Sequence, residues 1–233
     1  MKIFRIGIFV LILLLSFQIK SQNFSWGVKS GVIYGTPYTK PEKGSSGTLG
    51  LGPHIGIFAE FKFNDKLSFQ PQIIYSRKNG TYKTLISGDT IYKQIIMNDT
   101  FYIPTYYKGN VDGKFTNNYL DFPLLTKYKL KNNFSLLFGP QVSYLLKGGN
   151  KGNADVEVGE NYSKIYDEPF DISDKINRWD YSIVIGNNYE TKNRINFDVN
   201  FSFGLRSIFI NNYEIDGTVR NIYLSGSIGY RFK

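Results

Sequence analysis

Residues 194–206 read Arg-Ile-Asn-Phe-Asp-Val-Asn-Phe-Ser-Phe-Gly-Leu-Arg. Ile195, Phe197, Val199, Phe201, Phe203 and Leu205 take every second position. Arg194, Asn196, Asp198, Asn200, Ser202, Gly204 and Arg206 take the positions between. A helix with 3.6 residues per turn would scatter these two sets around its axis. Only a strand sorts them onto opposite faces.

The same period-2 reading extends outward in both directions. It sets Trp26, Val28, Val32 and Tyr34 against Ser25, Gly27, Lys29 and Gly31. It then sets Ile55, Ile57, Ala59, Phe61 and Phe63 against His54, Gly56, Glu60 and Lys62, and Leu67, Phe69, Ile73 and Tyr75 against Ser68, Gln70, Gln72 and Ser76. Leu120, Phe122, Leu124, Tyr128 and Leu130 oppose Tyr119, Asp121, Lys127 and Lys129, and Phe134, Leu136, Phe138, Val142 and Tyr144 oppose Ser135, Gly139, Gln141 and Ser143. Trp179, Tyr181, Ile183 and Ile185 oppose Arg178, Asp180, Ser182 and Gly186. Last, Ile222, Leu224, Ile228, Tyr230 and Phe232 oppose Asn221, Ser225, Ser227, Gly229 and Arg231. The eight segments are joined alternately by long and short connections. The short ones are 64–66, 131–133 and 190–193; the long ones are 35–52, 77–117, 148–177 and 207–220. That rhythm predicts an all-β fold: an eight-stranded antiparallel up-and-down transmembrane barrel, with tight turns at one rim and long loops at the other.

Alternation alone does not say which face is inside, because a soluble up-and-down barrel alternates too. Three features favour the apolar face outward. The polar face is rich in Gly, Ser and Asn, which suits a crowded lumen. Trp26, Tyr34, Tyr75, Tyr128, Tyr144, Trp179, Tyr189 and Tyr230 gather toward strand ends, as interfacial girdles do. No apolar face carries a charge, and a Lys or Arg there would cost about 2–4 kcal/mol at the bilayer midplane. Eight strands leave a lumen just wide enough to be filled by side chains. Glu60, Asp121, Asp180 and Asp198 should therefore interlock with Lys29, Lys62, Lys127, Lys129, Arg178, Arg194, Arg206 and Arg231. Pro71, Pro123 and Pro140 fall inside strands, so bulges or locally irregular pairing are expected there.

Residues 1–21 read as a secretory signal: Lys2 and Arg5, then the apolar stretch 6–17, then Ser21 as a small residue before the cut. The expected division is signal peptide 1–21 and barrel domain 22–233. Lys and Arg number 28 against 19 Asp and Glu, a net charge of +9; removing leader residues Lys2, Arg5 and Lys20 leaves +6. The remaining lysines are scattered with no nucleic-acid motif, so nucleic acid is not an expected partner. Cysteine is absent, which excludes disulfides, thiolate metal sites and a lipid-anchoring cysteine.

Tyr119-Leu-Asp-Phe-Pro-Leu-Leu125, followed by Thr126-Lys-Tyr-Lys-Leu130, resembles the signature strand of the PorT-like outer-membrane β-barrel family. Gln70-Pro-Gln-Ile-Ile-Tyr-Ser76, Trp26-Gly-Val-Lys-Ser-Gly31 and the terminal Gly229-Tyr-Arg-Phe232 are similar to its pattern as well. The resemblance covers nearly the whole mature chain. It implies a Gram-negative outer-membrane location and, through PorT itself, a link to type IX secretion. It assigns no functional residue. The last strand resembles the signal read by barrel-assembly machinery, although Lys233 follows Phe232.

No catalytic, cofactor-binding or metal-binding set emerges. His54, the single histidine, opens a strand at the outer rim, where a lipid-modifying enzyme would place a base. An inward-facing, hydrogen-bonded histidine is the stronger reading. Asp155, Glu157, Glu160, Asp167, Glu168, Asp171 and Asp174 make the third outside loop acidic. Calcium is one reading, but the spacing matches no calcium loop, and a solvated loop is favoured. In the second outside loop, 81–86 and 92–96 flank Ser-Gly-Asp-Thr like the arms of a hairpin. Phe101, Tyr102, Tyr106, Tyr107 and Phe115 make that loop aromatic. The expected function is non-enzymatic: a monomeric scaffold that meets outer-membrane lipid and lipopolysaccharide, and a protein partner through its outside loops. A narrow passive channel and a lipid-modifying enzyme are the alternatives.

Overall fold

The structure is a computed structural model and describes residues 24–38, 46–96, 99–158, 163–171, 173–210 and 219–232. It contains ten strands: β1 (Phe24–Tyr38), β2 (Ser46–Lys62), β3 (Leu67–Ile96), β4 (Asp99–Lys131), β5 (Phe134–Lys147), β6 (Asn150–Val158), β7 (Ser163–Asp171), β8 (Trp179–Glu190), β9 (Ile195–Gly204) and β10 (Arg220–Arg231). Eight of them form the ring β1-β2-β3-β4-β5-β8-β9-β10. Antiparallel pairing of β1 with β10, from Gly27↔Arg231 to Tyr38↔Arg220, closes it. All the strands of the sequence reading are therefore present, in up-and-down order.

The apolar set faces outward. Val199, Ile57, Phe138, Ile185 and Ile228 are each about half exposed, whereas Lys29, Glu60, Gln72, Ser143 and Asp198 are buried. The inversion is that of a barrel whose solvent outside is hydrocarbon. Trp26 stacks on Phe232 with ring centroids 4.4 Å apart at the short-turn rim, and Tyr144 meets Trp179 at 4.8 Å near the opposite rim. Trp179 and Tyr189 lie near the two ends of β8. At ~3.3 Å per residue and a tilt near ~40°, they stand about 25 Å apart along the membrane normal, the height of an outer-membrane apolar band.

The long connections differ from the sequence reading. Most of 77–117 is strand, because the β3–β4 ladder runs without a break in register from Leu67↔Tyr128 to Ile96↔Asp99. Segment 81–86 pairs with 109–114, not with 92–96, so Ser-Gly-Asp-Thr lies within β3 and the reversal falls after Ile96. Connection 148–177 holds a second hairpin. β5 stops at Lys147, the chain steps through Gly148 and Gly149, and β6 resumes the same climb along β4 from Phe115↔Asn150 to Tyr107↔Val158. β7 descends against β6. The leader 1–21 lies outside the described residues.

Pro71, Pro123 and Pro140 bring no bulge, and the register is the same on both sides of each. The ladders skip a few pairs beside Pro71 and Pro123, the cost of a missing N–H donor. Register shifts within the ring fall instead at Leu49/His54, Asn118/Tyr119 and Lys129/Lys131. The first of these spans Pro53. There β2 crowds β3 so closely that a Cβ at Gly52 would lie 1.8 Å from the Arg77 carbonyl oxygen.

The tight turns have local causes. The Asn64 side-chain oxygen accepts from the backbone N–H groups of Lys66 and Leu67 at 2.9 and 2.8 Å, an Asx turn. Between β8 and β9, Arg194 has φ of 66°, the left-handed residue of a short hairpin loop, and the Thr191 hydroxyl oxygen accepts from Ile195 N–H at 3.1 Å. A β-branched residue is least tolerant of that backbone. Arg194→Val should lower stability by about 1 kcal/mol, whereas Arg194→Gly should cost nothing or stabilise slightly. Reversible urea unfolding in lipid vesicles checks this, and equal behaviour of the two variants would refute it.

Candidate functional site: a sealed lumen beneath an outer sheet

Side chains fill the barrel in three tiers. Nearest the short turns, Lys127 lies 3.1 Å from Glu60 and 3.6 Å from Glu190. Arg231 pairs with Glu190 and approaches Glu60 at 3.9 Å, and Ser68 donates to Glu60 at 3.1 Å. In the middle tier the Lys29 ammonium donates to Asp198 at 2.7 Å and Gln72 at 3.0 Å, and Asn188 donates to Asp198 at 2.6 Å. Toward the outer rim, Lys78 lies 3.0 Å from Asp121 and 4.3 Å above the Tyr119 ring. Ser76 also donates to Asp121, at 2.6 Å, and Asn221 donates to Asp180 at 2.6 Å. Phe58 fills space that only a glycine at position 27 leaves: a Cβ there would meet its ring at 2.5 Å.

The expected interlocking of Glu60, Asp121 and Asp198 holds, with amended partners. Lys62, Lys129, Arg178 and Arg194 are exposed at strand ends and do not enter the lumen. Arg206 is exposed as well and donates to Asn177 Oδ1 at 3.1 Å. Lys78 and Glu190 take their places. Both sit next to turn-like residues, Arg77-Lys78-Asn79-Gly80 and Glu190-Thr-Lys-Asn193, which hide them in a reading by composition. The signal that finds Lys78 is phase: it continues the inward series Gln70, Gln72, Ile74, Ser76.

His54 is inward and 3% exposed, but it is not hydrogen-bonded. Neither ring nitrogen has a partner among the described residues. The groups around it are engaged elsewhere: Ser76 with Asp121, and Gln72 with Lys29. The ring borders a cavity of about 40 Å³ that Lys29, Lys78, Asp121 and Asn200 also line. Its lining also includes Ile33, Ile74, Leu125 and Val184, so the ring faces a wall of mixed polarity.

Over the outer end the chain builds an apolar lid. Ile176, Ile208, Phe209 and Val219 pack on Phe115, Tyr119 and Leu145. An isolated bridge, Ile176↔Phe209, joins the two connecting segments. Asn177 fastens it by donating to the carbonyls of Ser207 at 3.0 Å and Phe209 at 2.6 Å. Phe115 thus belongs to the lid and not to an exposed loop.

Beyond the lid, β3, β4, β6 and β7 continue as one sheet, with Ser46–Leu49 of β2 at its near edge. Phe101, Tyr102, Tyr106 and Tyr107 take register positions on β4 opposite Gln94, Lys93, Asp89 and Gly88. The acidic residues are spread over this sheet. Asp155 stands opposite Asp167, Glu157 opposite Lys164, and Glu168 opposite Ala154. Asp171 pairs with Lys151 at 2.9 Å, and the Ser173 hydroxyl and then Lys151 hold its carboxyl down to about 2. Asp174 pairs with Lys175 at 2.5 Å, and Glu160 lies outside the described residues. Among the described residues no group of three acidic or histidine side chains converges to hold a metal ion.

The buried pairs make a direct energetic test. Lys78→Met strands Asp121 and should cost about 3–5 kcal/mol, whereas the double variant Lys78→Met/Asp121→Leu should recover most of the loss. Urea unfolding in vesicles measures both, and a double variant as unstable as the single one would refute the pairing.

In comparison with known proteins, the outer membrane protein beta-barrel domain family matches residues 18–210. No curated protein matches the chain. Among solved structures, the attachment invasion locus protein Ail of Yersinia pestis, in complex with the heparin analogue sucrose octasulfate, is similar at 10% identity and a TM-score of 0.42, covering 90% of this chain and 99% of that one. Neisserial surface protein A is similar at 13% identity and a TM-score of 0.37, covering 90% and 97%. LpxR from Salmonella typhimurium is similar at 8% identity and a TM-score of 0.27, covering 88% and 99%. With the family matched over most of its length and an apolar outer wall around a polar lumen, the chain belongs to the outer membrane protein beta-barrel domain family and resides in the outer membrane.

Proposed function

We propose that the chain is a non-enzymatic, monomeric outer-membrane scaffold that presents its outer sheet to a protein partner. The observation that carries this reading is the length of the β3–β4 ladder, which continues to Ile96↔Asp99. β6 leaves β4 at Tyr107, and β2 leaves β3 at Lys83. Among the described residues, the last part of the hairpin is therefore a two-stranded ribbon. Such a ribbon is marginal in water until a further element covers it. The PorT-like resemblance supports a role beside type IX secretion. Export through a cleaved leader at 1–21 and insertion by the barrel-assembly machinery belong to the same proposal.

The channel alternative meets a lumen crossed by paired charges and capped by the lid around Phe115 and Ile208. The enzyme alternative meets a Ser76 that donates to Asp121 instead of to His54, and a His54 that lies buried. Two measurements test the scaffold. In planar bilayers the purified barrel should give no discrete conductance steps; regular steps would favour the channel. In cells, replacing 89–106, the two-stranded ribbon, by a short turn should keep the heat-modifiable gel shift of a folded barrel and abolish secretion of type IX cargo. Normal secretion by a strain carrying only this shortened chain would sink the secretion role.

A further inference from the structure

The outward face of the barrel does not end at the membrane. On β3, Ile73 and Tyr75 face lipid, and Arg77, Asn79, Thr81 and Lys83 continue on the same side. On β4, Leu124, Leu120, Thr116, Lys114 and Asp112 do likewise. Register then aligns this face across strands. Thr48, Thr81, Lys114 and Lys151 form one row, and Lys83, Asp112 and Asn153 form a row two positions farther out. The two rows border a hollow of about 400 Å³.

Lys114 and Lys151 are direct cross-strand neighbours, a placement that costs energy for like charges. Lys114 has no ion-pair partner among the described residues. Lys151 reaches away to Asp171 at 2.9 Å, and Lys83 lies 3.5 Å from Asp112. Both bridges are largely exposed, the two lysines at 76% and 73%, so each contributes little and yields to a stronger anion. Farther out on β6 come Asp155 and Glu157, which leaves the basic rows as the part of the outer sheet nearest the membrane.

We propose that Lys83, Lys114 and Lys151, with Thr48 and Thr81, bind the phosphorylated saccharide of a lipid anchored in the outer leaflet. Position selects this occupant. Lys114 is the register partner of Thr81, which is six residues above Tyr75 on the lipid-facing side of β3. At ~3.3 Å per residue and a tilt near ~40°, that is about 15 Å above the outer girdle, the layer of lipid-linked sugars. Phosphate oxygens there take hydrogen bonds from ammonium and hydroxyl groups and remove the repulsion between Lys114 and Lys151. The inference rests on the outer-membrane placement of this rim and is independent of the protein-partner reading.

The test uses the full-length barrel in detergent, with rough lipopolysaccharide carrying its phosphates, the same material stripped of phosphate, and inorganic phosphate as probes. Bound lipid per barrel is counted after gel filtration. The wild type should retain the phosphorylated form at least about tenfold better than the stripped form. K83Q/K114Q/K151Q should lose at least about tenfold, since each cation near an anionic surface contributes on the order of fivefold. Lys62→Gln at the opposite rim should change nothing. Lys114→Glu gives a second reading if the triple variant lacks the heat-modifiable shift. Equal retention by the lysine variants, equal retention of stripped lipid, or displacement by millimolar inorganic phosphate would each overturn the proposal.

Discussion

Closure of the ring by the β1–β10 ladder is the constraint on which the rest depends. In hydrocarbon an unpaired strand edge is prohibitive, so the barrel has to close. Closing at eight strands leaves an interior too narrow for bulk water. The charged groups pointing inward must then find their partners among their neighbours. Lys29 therefore reaches across to Asp198, and Lys127 gathers Glu60 and Glu190. Buried charges of this kind add little net stability over an apolar filling. They do tie strands distant in sequence into one register: Lys29 and Asp198 join β1 to β9.

Above the membrane the constraint relaxes. The outward face of a strand is wet there, edges are tolerated, and strands need not remain in the ring. β5 steps through Gly148 and Gly149 into β6, and β7 returns, by way of the lid segment Ile176–Asn177, to β8. These are two strands of the ring prolonged and interrupted, and the lid is built at the interruption. The outer sheet is thus a continuation of the barrel wall, and it inherits the wall's two faces. Its inner side carries Tyr82 and Phe115 in the apolar lid, and its outer side carries the lysine rows above lipid.

This division also decides what the sequence reveals. Within the membrane the two environments differ sharply, so Ile195–Leu205 alternates cleanly and its faces are readable. In β3 beyond Tyr75 the outward side meets water instead of lipid, while Ser76 and Lys78 still point into the buried lumen. The pattern there dissolves into Arg77-Lys78-Asn79-Gly80, which looks like a turn although it is paired strand. The β4–β6 contact is non-local and depends on β5 leaving β4 at Asn118, for which no local motif exists. Pro53 lies beside a bulge while Pro71 and Pro123 do not, because the surrounding register, not the proline, decides. His54 was legible as inward. Its lack of a partner was not, since that depends on Ser76 choosing Asp121.

The apolar face of each strand in the wall meets lipid, and the polar face fills a sealed lumen. The absence of native cysteine allows a clean scan: single cysteines at each position from Ile195 to Phe203, spin-labelled in lipid vesicles and probed by molecular oxygen and a polar nickel chelate. Labels at Phe197, Val199, Phe201 and Phe203 should show high oxygen accessibility and low access to the chelate. Labels at Asn196, Asp198, Asn200 and Ser202 should be shielded from both. An accessibility wave of the opposite phase, or chelate access at the polar positions, would contradict the account.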